Sequence, residues 1–156
     1  MKNLVFYAIL AIAVFALVWI TLSARDRNDS HNGPVTTKDA PQPIGPYSQA
    51  VIRGNALFVS GQVAIDPETG NADTADITVE TKRVMENIKA ILLAAEMEMK
   101  DISQVRIYLT DLNNFKTVNE IYGSYFGDGP YPARETVEVS ALPKGMHIEI
   151  SCTAIR

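Results

Sequence analysis

Two stretches near the C-terminus decide the fold of this chain: PARETVEV at residues 132–139 and HIEIS at residues 147–151. Both alternate polar and apolar side chains, which is the pattern of half-buried β-strands. The segment LPKG at residues 142–145 lies between them and contains residues that favour a turn. The sequence therefore predicts a β-hairpin at this end of the domain.

The faces of these two strands suggest a site. In the first strand Arg134 and Thr136 share one face, and in the second Glu149 lies opposite the apolar residues. If both apolar faces pack on the same helices, Arg134 and Glu149 point out of the same side of one sheet. A guanidinium and a carboxylate on one ordered surface could bind a small carboxylate and a water molecule. The alternative interpretation is a cross-strand ion pair that holds an interface between subunits.

The composition limits the class of protein. The chain has 156 residues, of which 47% are hydrophobic and 21% charged, as expected for a globular domain with an appendage. After the first 24 residues, 13 basic residues stand against 18 acidic ones, a net charge of −5. This balance argues against a nucleic-acid surface, which needs clustered Lys and Arg. Cys152 is the only cysteine, which excludes an internal disulfide and a cysteine-based metal site, and its apolar neighbours predict a core position.

An apolar run marks the N-terminus. Residues 4–22 form a run of 19 uncharged, mostly apolar residues, which as a helix would span roughly 28 Å, close to the thickness of a bilayer's hydrocarbon core. We therefore expect residues 1–24 to form a signal-anchor, with a cleaved signal peptide as the alternative. Residues 25–40 are polar and aperiodic and are expected to be a tether. On this interpretation the domain is anchored in an inner membrane or exported to the periplasm, or else is tethered on the cytoplasmic side.

The order of elements in residues 41–156 predicts the architecture. Strand-like stretches come first, followed by an amphipathic helix over residues 76–95 that Asp76 would cap. A strand, a second helix with an aromatic stripe and the two C-terminal strands complete the domain. Two helices can cover only one face of such a sheet. The other face must meet water or a second copy of the domain, which favours a homo-oligomer.

Several stretches of this domain together resemble the Rid (YjgF-type) family of reactive-imine deaminases. The resemblance covers about residues 40–156 and is carried by IGPYSQA (44–50), SGQ (60–62), ENIKAI (86–91), DLN (111–113), TVN (117–119), PAR (132–134), VEV (137–139), LPK (142–144) and IEI (148–150). None of these segments is specific alone, whereas their common order and spacing are.

The resemblance implies an α+β, chorismate-mutase-like fold, with a mixed sheet, two helices on one face and pockets between the subunits of a homotrimer. It implies hydrolysis of 2-imino acids, such as 2-iminobutanoate and 2-iminopropanoate, to 2-oxo acids and ammonia, with no metal and no organic cofactor. By matching position, Arg134 would bind the substrate carboxylate and Glu149 would hold or activate the attacking water. The substrate-binding residues would be Tyr47, Ser60, Asn119 and Thr136.

Three residues depart from the family pattern. Thr136 stands where many members have cysteine, so its hydroxyl could replace that contact or change the size of the accepted substrate. Glu135 stands where a small or apolar residue is usual, and it is expected to point away from Arg134. Glu96 stands where a glycine generally follows the first helix, so that helix could end differently.

Two other functions are open at this point. The first is a trimer that binds small carboxylates without turnover, as a sensor or a protective scaffold. The second is an endoribonuclease, which the acidic charge disfavours.

Overall fold

The structure is a computed structural model that describes residues 12–20, 32–74 and 76–156. The chain divides into two compact units, Met1–Asn32 and Gly33–Arg156. In the first unit residues 12–20 are helical, and their large apolar side chains, such as Phe15 and Trp19, are exposed.

The N-terminal segment does not support the predicted membrane anchor. Within the three described ranges, no helix combines the length and the apolar character that crossing a membrane requires. This finding overturns the prediction of a signal-anchor, and the inner-membrane, periplasmic and cytoplasmic-tether localisations that depended on it are not retained. Residues 1–11 and 21–31, which include parts of the predicted anchor and tether, lie outside the described residues.

The second unit is built on one mixed sheet of six strands. The strands are β1 (Gly33–Val35), β2 (Ala50–Arg53), β3 (Ala56–Gln62), β4 (Ile102–Leu109), β5 (Ala133–Glu138) and β6 (Ile148–Ile155). Their order in the sheet is β1-β2-β3-β6-β4-β5, and only the β4–β5 pair is parallel among these described strands. Helices α1 (Ile77–Ala94) and α2 (Phe115–Ser124) pack against each other, and α1 packs on β3 and β6. This architecture confirms the predicted α+β fold with a mixed sheet.

The core lies between the sheet and α1. Alternate residues of β4 and β6 point to this side and are almost fully buried, as are the apolar residues of the helix stripe: Val105, Ile107, Leu109, Ile148, Ile150, Cys152, Val84, Ile88, Ile91 and Leu92. Burial raises the pKa of the Cys152 thiol to about 12, so this cysteine is an inert core residue, as predicted.

Helix α1 begins as its sequence predicts. The Asp76 carboxylate accepts hydrogen bonds from the backbone N–H groups of Thr78 and Val79, at 2.7 and 2.9 Å, and so caps the helix. In the first turn, the fully buried Glu80 carboxylate accepts the backbone N–H of His147 at 2.8 Å and contacts its Nδ1 at 2.6 Å. The start of α1 is thereby fixed to the start of β6.

The other end of α1 closes on a residue with an unfavourable backbone conformation. Glu96 follows the C-cap Ala95 and has φ of 56°, in the left-handed region. The N–H of Met97 donates to the Leu92 carbonyl at 2.9 Å and the N–H of Glu96 donates to the Leu93 carbonyl at 3.0 Å. These two bonds make a Schellman motif, so the helix ends as it would with a glycine, although the residue is glutamate.

The predicted hairpin is wrong. Strand β6 is bonded to β3 and β4, and β5 is bonded to β4 alone among the described strands, so β4 separates the two stretches that the sequence placed side by side. The chain passes from β4 through α2 to β5 in the parallel direction and then returns over residues 139–147 to β6. Pro143–Gly145 is a 3-10 turn within that return.

The sheet begins earlier than expected. Strand β1 falls inside the stretch 25–40 that was predicted to be a tether, and the compact unit starts at Gly33. A buried amide holds this part of the chain in place. The Gln49 side chain accepts the backbone N–H of Thr37 at 2.7 Å and donates to the carbonyls of Thr37, Ala40 and Pro41 at 2.9–3.0 Å.

Candidate functional site

Arg134 lies at the edge of the sheet, on the same side as the helices. In the parallel register it is opposite Val105, and Thr136 is opposite Ile107, both of which face the core. Glu149 alternates with the buried Ile148 and Ile150 and therefore faces the open side. The prediction that Arg134 and Glu149 point out of one side of the sheet is therefore wrong. Alternation shows which residues of a strand share a face, but not which of the two faces packs against the helices. The edge strand β5 is exposed on both faces, so its apolar residues do not identify the face that the helices cover.

The Arg134 guanidinium is held by α2. Its Nη1 donates to the Asn119 side-chain oxygen at 2.8 Å. The guanidinium carbon lies 4.9 Å from the centre of the Tyr122 ring and 5.7 Å from that of Phe115, within the range of cation–π contacts. These three residues stand at positions i, i+4 and i+7 of the chain, so one face of the helix carries all three contacts.

Sequence reasoning missed part of this arrangement. Tyr122 is buried in the core, as an apolar helix stripe predicts, and its ring also lies near the Arg134 guanidinium, whereas Phe115 is 42% exposed and forms the other part of this aromatic platform. The signal that could have found them is their spacing, four residues before and three residues after Asn119. Asn119 belongs to the TVN segment (117–119) that carries part of the family resemblance. Burial raises the pKa of the Tyr122 hydroxyl to about 12, against the opposing effect of nearby Arg134, so the phenol stays neutral.

At Thr136 the side-chain hydroxyl is buried, whereas the backbone N–H lies at the free edge of the sheet. Its Oγ1 is buried and has no hydrogen-bond partner among the described residues. The N–H of Val139 donates to the Leu109 carbonyl of β4 at 2.8 Å. Because N–H groups of successive residues in a strand point to opposite edges, and Thr136 is three residues before Val139, the N–H of Thr136 points to the free edge of the sheet. A cavity of about 680 Å³ opens beside Arg134, Asn119 and Tyr131.

Glu149 lies in a second cavity, on the open face. This cavity has a volume of about 450 Å³ and is also lined by Tyr47, Ser60 and Gly61. The Glu149 carboxylate forms no ion pair or hydrogen bond within the part of the chain that the structure describes, and burial raises its pKa above the ordinary value of 4.5. The group is a carboxylate whose proton affinity is increased and whose oxygens are free for another molecule.

The two other predicted site residues that line this cavity have different roles. The Ser60 hydroxyl donates to the Ser48 carbonyl at 2.7 Å and so fixes the chain that leads to Tyr47. The Tyr47 side chain is half exposed and borders the cavity. Tyr47 can therefore contact a bound molecule directly, whereas Ser60 shapes the wall.

The prediction for Glu135 is confirmed. Its carboxylate pairs with the Arg106 guanidinium at 2.8 Å, on the open face, and so points away from Arg134. Within the described ranges, no cluster of His, Cys, Asp and Glu is arranged to hold a metal ion.

The six predicted site residues thus form two groups. Arg134, Asn119 and Thr136 meet at the edge strand on the helix side, and Glu149, Tyr47 and Ser60 meet on the open side. One chain does not bring the two groups together, because they belong to opposite faces of one sheet. We call them the arginine half-site and the glutamate half-site.

Comparison with known proteins places the chain in a family. Residues 37–156 match the family described as Endoribonuclease L-PSP. A RutC family protein of Pyrococcus horikoshii is 51% identical over 122 residues, which is 78% of this chain and 96% of that protein. A human protein named 2-iminobutanoate/2-iminopropanoate deaminase is 41% identical over 122 residues, 78% of this chain and 88% of that protein.

Solved structures agree with this assignment. The YjgF gene product of E. coli is 40% identical, with a TM-score of 0.76, over 79% of this chain and 98% of that one. E. coli TdcF with bound serine is also 40% identical, with a TM-score of 0.76 and the same coverage of 79% and 98%. The chain therefore belongs to the Endoribonuclease L-PSP family, which includes the Rid (YjgF-type) proteins.

Proposed function

We propose that this protein hydrolyses 2-imino acids to 2-oxo acids and ammonia, in sites that two copies of the chain build together. The observation that carries the proposal is the complementary chemistry of the two half-sites. One offers a fixed guanidinium for a carboxylate, and the other offers a partly buried carboxylate with no partner among the described residues. A small acid that must react with water needs both.

The arginine half-site is suited to the carboxylate of the substrate. One edge of the Arg134 guanidinium is used by Asn119, and its flat face rests on Tyr122 and Phe115. A guanidinium fixed in this way can present its remaining N–H groups in the fork geometry that carboxylates accept. The backbone N–H of Thr136, at the free edge beside it, supplies a further donor.

The glutamate half-site is suited to water activation. Glu149 would take a proton from a water molecule as the water oxygen bonds to the imine carbon, and the proton would then pass to nitrogen. In the carbinolamine so formed, the hydroxyl proton passes to nitrogen, for which Glu149 is the carrier, as the C–N bond breaks and the C=O bond forms, so that ammonia leaves and the 2-oxo acid remains. The raised pKa of Glu149 makes it a stronger base than an ordinary carboxylate.

Joining the half-sites requires a second copy of the chain. Several apolar side chains of the open face are 44–50% exposed: Phe58, Val137 and Ile155. Such a surface favours burial against another protein, and the family resemblance implies a homotrimer. In that assembly Arg134 of one subunit would face Glu149 of the next, and each contact between subunits would complete one site.

The names of two relatives support the chemistry without deciding it. The human relative is named as a deaminase of 2-iminobutanoate and 2-iminopropanoate, and the E. coli relative was solved with serine, a small carboxylate-bearing molecule. Binding of a small acid without turnover is the alternative that the serine complex favours. An activity measurement separates the two.

The full-length protein is tested in a coupled assay. An amino-acid oxidase or a dehydratase generates the imine. Its hydrolysis is followed by the release of ammonia or by the decrease in semicarbazone formation. We expect faster imine hydrolysis than in buffer, and a loss of about 10²–10⁴-fold in Glu149→Gln and a large loss in Arg134→Ala. Lys89→Ala, which removes a cation from the exposed side of α1, is the matched control and should keep the wild-type rate. No acceleration by the wild-type protein would refute the deaminase, and binding of a 2-oxo acid in calorimetry would then support the binder.

Mixed oligomers test the shared site. Arg134→Ala and Glu149→Gln are each expected to be nearly inactive alone, but unfolding and refolding them together should restore part of the activity. A site formed by Glu149 of the first variant and Arg134 of the second contains both groups. Activity that stays absent from the mixture would contradict a site built from two copies.

A further inference from the structure

The bulge in β3 places an extra residue beside Glu149. Val59 is opposite Cys152 and Gln62 is opposite Ile150, so two residues of β3, Ser60 and Gly61, face one residue of β6. A bulge of this kind bends its strand and changes where neighbouring side chains point. Here it brings the backbone of Gly61 under the carboxylate of Glu149.

Gly61 leaves space that no other residue would leave. A Cβ at this position would lie 2.7 Å from Cδ of Glu149 and 3.1 Å from Cγ, and would overlap Oε1. The first distance is shorter than carbon atoms reach without bonding. Gly61 is not among the glycines with positive φ, so its backbone conformation is open to any residue. The requirement for glycine is therefore one of space alone.

We propose that Gly61 is a positioning residue for Glu149: the absent side chain at the β3 bulge forms the recess in which the carboxylate lies. The inference rests on the proposed function, since Glu149 acts as a base only there. Its physical content is that the recess both fixes the direction of the carboxylate and withdraws it partly from water. A methyl group in the recess would push the carboxylate towards solvent, away from the place where water must be activated.

A thermodynamic cycle tests the contact without reference to activity. Gly61→Ala, Glu149→Ala and the double variant are compared with the wild type by thermal unfolding at one protein concentration. We expect Gly61→Ala to lower the unfolding midpoint in the wild-type background and to leave it nearly unchanged in the Glu149→Ala background, because Glu149 then no longer occupies the recess. An equal loss in both backgrounds would overturn the proposal.

The second measurement follows the proton on Glu149. With ¹³C-labelled glutamate, and with Glu149→Gln to assign the signal, the carboxyl titration is recorded in the wild type and in Gly61→Ala. The midpoint should fall towards 4.5 in the variant, because the displaced carboxylate returns to water. An unchanged titration would overturn the proposal. If Gly61→Ala does not fold, Gly61→Ala with Glu149→Ala must fold, and failure of that double variant would count equally against it.

Turnover then shows whether the position matters to the reaction. Gly61→Ala should lose about 10²-fold in kcat, the effect of misplacing a catalytic group by about 1 Å, with less change in KM. Glu149→Asp withdraws the carboxyl group from the recess, so adding it to Gly61→Ala should recover part of the lost rate. A wild-type protein without deaminase activity would refute the proposed function, whereas the cycle and the titration would still decide the role of Gly61.

Discussion

Replacing Glu96 by glycine should make the protein more stable. Glu96 has φ of 56° at the end of α1, a conformation that places Cβ of an L-residue too close to its own backbone. The conformation costs about 1–2 kcal/mol for such a residue. Glycine adopts it freely but makes the unfolded chain more flexible, which offsets the gain by about 0.4–1 kcal/mol. The free energy of unfolding should therefore rise by about 0.5–1 kcal/mol, the difference between these two effects.

Three control variants separate the possible causes. Glu96 is exposed, and none of its side-chain atoms forms a hydrogen bond or an ion pair within the described residues, so no contact is lost by replacing it. Glu96→Gln removes only the negative charge, which is unfavourable at a helix C-terminus. Glu96→Ala keeps Cβ and its crowding, whereas Glu96→Asn tolerates the left-handed conformation better. We expect the order of stability to be Gly, then Asn, then Gln and Ala close to the wild type.

Urea unfolding followed by circular dichroism measures the effect. The midpoint should rise for Glu96→Gly with no change in the slope, at one fixed protein concentration because association adds to stability. The thermal midpoint should rise by about 2–6 °C for a unit of this size. If Glu96→Ala stabilises as much as Glu96→Gly, the gain comes from the charge or the side chain, and the argument from backbone conformation fails.

Three further changes follow from the structure. Because folding raises the pKa of Glu149, ionisation of this carboxyl group destabilises the folded state as pH rises above 4.5. Glu149→Gln should therefore have a higher urea midpoint than the wild type at pH 7, and the difference should disappear towards pH 4. A difference that does not depend on pH would contradict this. Tyr122→Phe removes a buried hydroxyl that has no hydrogen-bond partner among the described residues, and it keeps the aromatic ring beside Arg134. The free energy of unfolding should therefore rise by about 1 kcal/mol, with unchanged turnover. A loss of stability would show that the hydroxyl forms a hydrogen bond in the folded protein. His147→Ala deprives the buried Glu80 side chain of one hydrogen-bond partner and should lower the free energy of unfolding by about 1–3 kcal/mol, the cost of leaving a buried polar group unpaired. A loss below about 0.5 kcal/mol would contradict a stabilising role for this contact.

The sequence predicts best where one local rule decides the outcome. The period of α1 and the capping residue Asp76 are local features, and both the helix and its cap are found where they were expected. The buried face of β6 follows equally from alternation, because β6 lies in the middle of the sheet. Residues 148–155 could therefore be assigned to their faces without the structure.

The errors arise where distant parts of the chain compete. In the sheet, β4 lies between β5 and β6 and pairs with both. No short stretch of the sequence predicts these two pairings. Because a hairpin was assumed, the prediction of the face on which Arg134 lies was also wrong. The roles predicted for Arg134 and Glu149 did not depend on the topology, because they came from the family motifs, and they stay predictions. The three-residue strand β1 is too short to show a period at all.

The separation of the two half-sites also determines how a defective copy would act in a mixed population. In the proposed homotrimer, a subunit without Arg134 spoils one of the sites to which it contributes, and a subunit without Glu149 spoils the other. A subunit without both groups would silence two sites while folding normally. Such a chain, produced beside the normal one, would act as a dominant inhibitor. Dilution below the dissociation constant of the trimer would inactivate even an intact population.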